Sequence, residues 1–260
     1  SLSSLIAGEV IPRLLLNHSL PGSVAHFPAR SAAQRGTEPV LGADEIARFC
    51  DLSLELEADE LLAVVEGYAQ RGLSAEAIFV ELLAPAARRM CDLWEQDVCD
   101  FVEVTMALWR LQEVLRITAT RHAPSVAGFN RRAVLFATMP GDAHSFGAHM
   151  IDEVFARAGW HSEVLIDPSR SDLLDFVAER TLDLVGLTLS SDCPSGRLSD
   201  CIAALRGVSR NRHLQVIIGG ARVNADPGLV DSVGADGTAP CARSALLLAE
   251  RLVMETRPLA

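Results

Sequence analysis

The segment Asp142-Ala-His144-Ser145-Phe-Gly147 holds the residues whose types and spacing most readily suggest chemistry. Histidine is the commonest metal ligand among side chains. A plainer reading stands beside that one: Asp142 or Ser145 caps the helix that follows, and His144 is an ordinary loop histidine. By itself D-x-H-x-x-G arises by chance in a chain this long at a frequency on the order of a few per cent, so the motif alone leaves both readings open. Other chemistries are closed off by composition. The chain has no lysine, which removes Schiff-base catalysis and the phosphate-binding lysine of a P-loop together.

The elements that must position this segment follow from the hydrophobic pattern. Of the 260 residues, 49% are hydrophobic, enough for two cores. Residues 1–42 carry Pro12, Pro21, Gly22, Pro28, Gly36, Pro39 and Gly42, too many breakers for a long helix, and read as a partly ordered extension. Residues 43–123 read as four helices. Asp44 is expected to cap the first, Leu61, Leu62, Val65 and Tyr68 mark the second, and Gly72 stops it. Ser74 is expected to cap the third, which carries Ile78, Leu82, Leu83, Ala86, Met90 and Leu93, and the fourth runs from about Phe101 to His122. Short connections favour an antiparallel bundle.

Residues 124–131 form a linker, and 132–256 change period. Ala133 to Thr138, Glu163 to Ile166, Leu184 to Leu189 and Val216 to Ile218 are short continuous apolar runs, as expected of parallel strands covered on both faces. Helical stretches around His149 to Ala158, Leu173 to Arg180, Leu198 to Arg206, Pro227 to Val233 and Pro240 to Glu255 alternate with them. The expectation is a doubly wound sheet, whose ligands bind beyond the carboxyl ends of the strands.

Charge and cysteine usage narrow the class. A net charge of −11 argues against direct DNA binding through a basic surface. Cys50, Cys91, Cys99, Cys193, Cys201 and Cys241 form no C-x-x-C pair and are expected to be reduced and mostly buried. No apolar run reaches the roughly 18 residues of a membrane span, and no signal-peptide pattern opens the sequence, so a cytoplasmic protein with no membrane partner is expected.

The segments after the strands carry a resemblance. Asp142-x-His144-x-x-Gly147 is followed in order by Val185-Gly-Leu-Thr188-Leu-Ser190, by Gly219-Gly220 and by Gly234-Ala-Asp-Gly237-Thr-Ala. Together they resemble the cobalamin-binding domain family, over about Arg132 to Arg251. The resemblance implies a Rossmann-like domain of five parallel strands behind a helical cap. It also implies cobalamin held base-off and His-on, with His144 as the lower metal ligand and Asp142 orienting its ring. Ser145, Gly147, Gly219 and Gly220 then belong to the cofactor-binding set, with Thr188 and Ser190 near the nucleotide tail. Thr188 replaces the family's usual Ser and Ser190 its Leu, while His149 is expected to be a helix-face residue. Asp192 and Cys193 are candidates for the tail pocket.

The helical half is similar to the cap of CarH-type light-dependent regulators, in which Trp-x9-Glu-His covers the upper ligand. Here Trp94 is followed after nine residues by Val104-Thr105, so the upper histidine is missing. Trp94 and Val104 are placed at the cofactor by that resemblance. His18, His26 and His122 are the other candidate upper donors, and Trp109 is expected in the bundle core. The proline-rich extension, this cap and the intact D-x-H-x-x-G motif resemble the AerR/PpaA antirepressor group. That resemblance implies a photoreceptor-type transcription regulator of photosynthesis genes that is not an enzyme. It would use adenosyl- or hydroxocobalamin and act by contact with a repressor of the CrtJ/PpsR type. The alternative is a corrinoid methyl carrier serving methyltransferases.

Overall fold

The computed structural model describes residues 41–123, 132–190 and 196–256. The expected extension and linker, and with them His18, His26, Asp192 and Cys193, lie almost wholly outside the described residues. Four helical rods come first. Helix α1 (Ala43–Glu55) begins at Gly42, whose N–H donates to Glu45 Oε2 at 3.1 Å. Asp44 is therefore not the cap as expected; it lies in the first turn, where a negative charge meets the helix dipole favourably. Helix α2 (Ala58–Gln70) ends as Gly72 turns to φ 104°. Ser74 caps the third rod as expected, its hydroxyl accepting from Ala77 N–H at 3.1 Å.

That third rod is continuous but not uniform. Helix α3 (Ala75–Ala77) passes into a π-helical segment (Ile78–Leu83) and then into α4 (Ala84–Glu95). Pro85 explains the wide turn: it has no amide hydrogen, and its ring would collide with the carbonyl four residues back. A π turn moves that carbonyl aside, and Ala84 N–H accordingly donates to Phe79 O, five residues back. The fourth rod, α5 (Phe101–Arg121), starts with a reciprocal cap in which Asp100 and Glu103 each accept the other's N–H at 2.8 Å.

The sheet follows in the order β2-β1-β3-β4-β5, all parallel: β1 (Ala133–Thr138), β2 (His161–Leu165), β3 (Leu184–Thr188), β4 (Gln215–Gly219) and β5 (Gly237–Thr238). Helices α6 (Phe146–Arg157) and α11 (Ala242–Thr256) cover one face. Helices α7 (Arg170–Glu179), α8 (Gly196–Val208), α9 (Ala221–Ala225) and α10 (Leu229–Val233) cover the other. The helix expected over Pro227 to Val233 is α10, which starts at Leu229, and a further short helix, α9, precedes it at Ala221–Ala225. The one expected around His149 begins earlier, at Phe146, with Gly147 inside its first turn. Cys50 and Cys201 are buried, but Cys91 is exposed and Cys99 and Cys241 are half-buried, fewer buried thiols than expected.

The two halves share atoms as well as a boundary. Phe146 and Met150 of α6 pack into the bundle core with Phe79, Leu82, Leu111 and their neighbours. Arg157, at the far end of α6, donates to the Ala119 and His122 carbonyls, which terminate α5, and its guanidinium lies 5.1 Å from the Phe79 ring centroid. Those carbonyls have no partner within the helix, so a cation there satisfies orphaned acceptors and the dipole together. Arg243 of α11 pairs with Glu76 and Glu81 of the third rod, each at 2.8 Å.

Gly186 shows how tightly the sheet is filled. A Cβ there would lie 2.5 Å from two atoms of the Phe136 ring, which packs edge-on against Phe155 at 4.8 Å. Overpacking of this kind costs about 1–3 kcal/mol. Gly186→Ala is expected to lower unfolding stability by that amount in urea titrations; an unchanged midpoint would mean the ring has room to yield.

Candidate functional site

The strand order 2-1-3-4-5 reverses between β1 and β3, and the crevice beyond their carboxyl ends is the binding position of such sheets. Asp142 and His144 lie in the loop leaving β1, and Ser190 in the loop leaving β3. Buried Asp142 ties the two loops together. Its Oδ1 accepts from His144 Nδ1 at 2.7 Å and His144 N–H at 3.0 Å, and its Oδ2 accepts from Ser190 N–H at 2.7 Å.

Burial alone would push the Asp142 carboxyl up. The hydrogen bonds from His144 and Ser190 outweigh it and hold the group below the ordinary carboxylate range, so it is a carboxylate at neutral pH. An acceptor at Nδ1 selects the tautomer with hydrogen there and makes Nε2 the nitrogen suited to a metal. The His144 side chain is 71% exposed, against 5% for Asp142. The arrangement is an imidazole presented toward solvent on a buried, charged mount. Ser145 stands at the N-cap of α6, but neither it nor Asp142 closes the helix start with a side-chain bond; Ser145 Oγ instead accepts from Gln112 of α5 at 3.3 Å.

The remaining positions divide. Thr188 is half-buried, with its hydroxyl 3.5 Å from Ala137 O. Gly220, at φ 104°, is demanded by the protein itself, since a Cβ would meet Leu189 O at 2.3 Å. Gly147 and Gly219 are different: neither has a positive φ, and a Cβ on either would meet nothing within 4 Å. Packing within the chain gives no reason for glycine at these two, whereas an occupant approaching the backbone would. Thr238, at the end of β5 and paired to Ile218, has a buried hydroxyl with no hydrogen-bond partner in the described structure. The donor set, the open glycines and the orphaned hydroxyl fit a corrinoid.

In the helical half Trp94 is exposed to 47% and does not belong to the bundle core. Val98, Phe101, Val102 and Met106 are exposed beside it in sequence, forming an apolar stripe that no sequence argument singled out. The signal was present: α5 is apolar at 101, 102 and 106 as well as on its inward positions 104, 107, 111 and 114. Val104 belongs to the inward set. It is 6% exposed, in contrast to the stripe, and its expected place at the cofactor remains a matter of the resemblance. Trp109 is half-buried, with a buried Nε1 that has no partner in the described structure, so it is not simply core. His122 ends α5 ten residues beyond Gln112, about 15 Å along the axis from the contact with Ser145. His149 lies on α6, half-buried, and burial lowers its pKa.

Comparison with known proteins gives the geometry a context. Two models of a B12 binding domain match the chain, one over residues 45–118 and one over 132–247. The chain is 30% identical over 162 residues to an uncharacterized 20.5 kDa protein in the bchF-crtJ intergenic region of Rhodobacter capsulatus. That match spans 62% of this chain and 84% of the other. Among solved structures, the monomethylamine corrinoid protein of Methanosarcina barkeri superposes with a TM-score of 0.66 at 16% identity, over 81% of this chain and 100% of that one, a likeness of fold.

The pH dependence of the mount is predictable. A carboxyl depressed in the folded state stabilises above its unfolded pKa of about 3.9, and that contribution is lost as pH falls through the folded value. Asp142→Asn is expected to cost about 1–3 kcal/mol at neutral pH. Wild type and variant should converge in urea unfolding below about pH 4. A gap that persists unchanged to pH 3 would remove the carboxylate charge from the account.

Proposed function

The chain belongs to the B12-binding domain family, and from that footing we propose that it is a light-responsive transcriptional regulator. In this reading it holds cobalamin base-off with His144 beneath cobalt and acts as an antirepressor by contact with a repressor of the CrtJ/PpsR type. The observation that carries the cofactor half is the His144–Asp142–Ser190 linkage at the switch point of the sheet. What supports the regulatory half is the relative encoded between bchF and crtJ.

Cobalamin supplies a metal centre whose upper ligand exchanges and responds to light. The residues of the chain supply the rest. Asp142 keeps the His144 ring in one tautomer and one orientation. Gly147 and Gly219 leave backbone open to the nucleotide arm, and Thr238 Oγ1 has hydrogen-bonding capacity to offer it. Trp94, Val98, Phe101, Val102 and Met106 offer an apolar surface for the upper side of the corrin. Val104 and Thr105 replace the Glu-His pair of light-dependent caps, so an upper protein ligand does not come from that position.

A switch needs an element with two arrangements biased at one site. The His144 loop runs directly into α6, whose Phe146 and Met150 complete the bundle core, and Ser145 bonds Gln112. Displacement at the ligand loop therefore reaches the bundle through packed side chains, without a flexible intermediary.

His144→Ala is expected to abolish or severely weaken cobalamin capture while leaving far-UV circular dichroism unchanged. A variant that still takes up hydroxocobalamin with the wild-type visible spectrum would refute the ligand assignment. The regulatory reading is tested by reconstituting the full chain with adenosyl- or hydroxocobalamin and measuring binding to a CrtJ/PpsR-type repressor in darkness and after illumination. Light-dependent capture is expected. Binding equal in both states, or capture of methyltransferases alone, would overturn it in favour of a carrier role.

A further inference from the structure

Asp167, in the loop leaving β2, has φ 46°; with Asp97 it is one of two non-glycine residues at positive φ among the described residues. Left-handed backbone is disfavoured for L-residues, and aspartate is among the few that tolerate it. Pro168 follows, and a proline pushes the residue before it toward extended backbone. Asp167 is thus held against two local preferences, and such an outlier persists only where its surroundings impose it.

Two contacts impose it. Asp167 N–H donates to Oγ1 of Thr138, the buried last residue of β1, at 2.7 Å. Asp167 Oδ1 accepts from Gly141 N–H at 2.9 Å. Gly141 itself stands at φ 88° and immediately precedes Asp142. The ligand loop is therefore secured on both sides: Asp142 ties it to the β3 loop through Ser190, and Asp167 ties it to the β2 loop through Gly141. Without the second tie, Gly141 is the residue in the loop best able to swing, and its rotation would carry Asp142 from beneath the imidazole.

We propose that Asp167 is a positioning residue for cobalt coordination: by fixing Gly141 it sets where Asp142 holds the His144 ring. This rests on the reading that His144 is the lower ligand.

Three variants of the full chain separate its two properties. Asp167→Asn keeps an acceptor oxygen and tolerance of positive φ, Asp167→Gly keeps only the backbone freedom, and Asp167→Ala keeps neither. The first readout needs no cofactor: hydrogen exchange of the Gly141 amide in the apo protein, expected to accelerate in the Gly and Ala variants and to stay slow in Asn. The second is the electron paramagnetic resonance spectrum of protein carrying 15N-labelled histidine and loaded with cob(II)alamin, in which a histidine ligand splits each cobalt line in two, whereas the cofactor's own benzimidazole nitrogen would split it in three. Asp167→Asn should keep the splitting, while the Gly and Ala variants should lose much of it and bind cobalamin about tenfold more weakly. The melting temperature of Asp167→Gly should stay close to wild type, which a merely structural role would not combine with a lost nitrogen signal. If wild type shows the splitting and Asp167→Gly and Asp167→Ala match it, the proposal is overturned while the ligand reading stands. If wild type itself shows none, the ligand reading fails and takes the proposal with it.

Discussion

One buried carboxylate organises the site. Asp142 receives hydrogen bonds from its own loop and from the loop of the neighbouring strand, and those bonds keep it charged in a place where burial alone would favour protonation. A charge so placed is costly unless its acceptor sites are filled. The two loops are therefore bound to each other as firmly as the carboxylate is bound to either. His144 is mobile only to the degree that this junction allows.

Everything outside the junction serves to deliver those two loops to the same place. The parallel register aligns Thr138 of β1 with Thr188 of β3, so the loops leave the sheet at equal height. Gly186 lets the Phe136 ring lie across β3, and Gly220 lets β4 leave beneath Leu189. Helix α6 then starts straight from the histidine loop and inserts Phe146 and Met150 into the bundle. The helical half is in this sense a continuation of the ligand loop.

Much of this was legible in the residues. Strands buried on both faces read as unbroken apolar runs, which located β1, β3 and β4 within a residue or two, and the order of post-strand motifs located the site. Strand β2 was harder because it lies at the edge and begins with His161 and Ser162, which look like loop. Helix α6 starts at Phe146, three residues before the stretch that the pattern marks around His149. The burial of Val104 was not legible from the motif gap that singled it out, because the gap gives a position along the chain and the helical period gives the direction. Asp167 carries no signature at all, because its contribution comes from a backbone angle and a bond to the neighbouring loop.

The two clamps between the halves differ in kind. Arg243 meets Glu76 and Glu81 as partly exposed ions, an attraction that dissolved salt weakens. Arg157 is largely buried and spends its hydrogen bonds on peptide carbonyls at the end of α5, partners that neither titrate nor attract counterions strongly. Raising ionic strength is thus expected to weaken the Arg243 clamp more than the Arg157 clamp, so that the seam between bundle and sheet keeps its peptide-bonded contact when its ionic one fades.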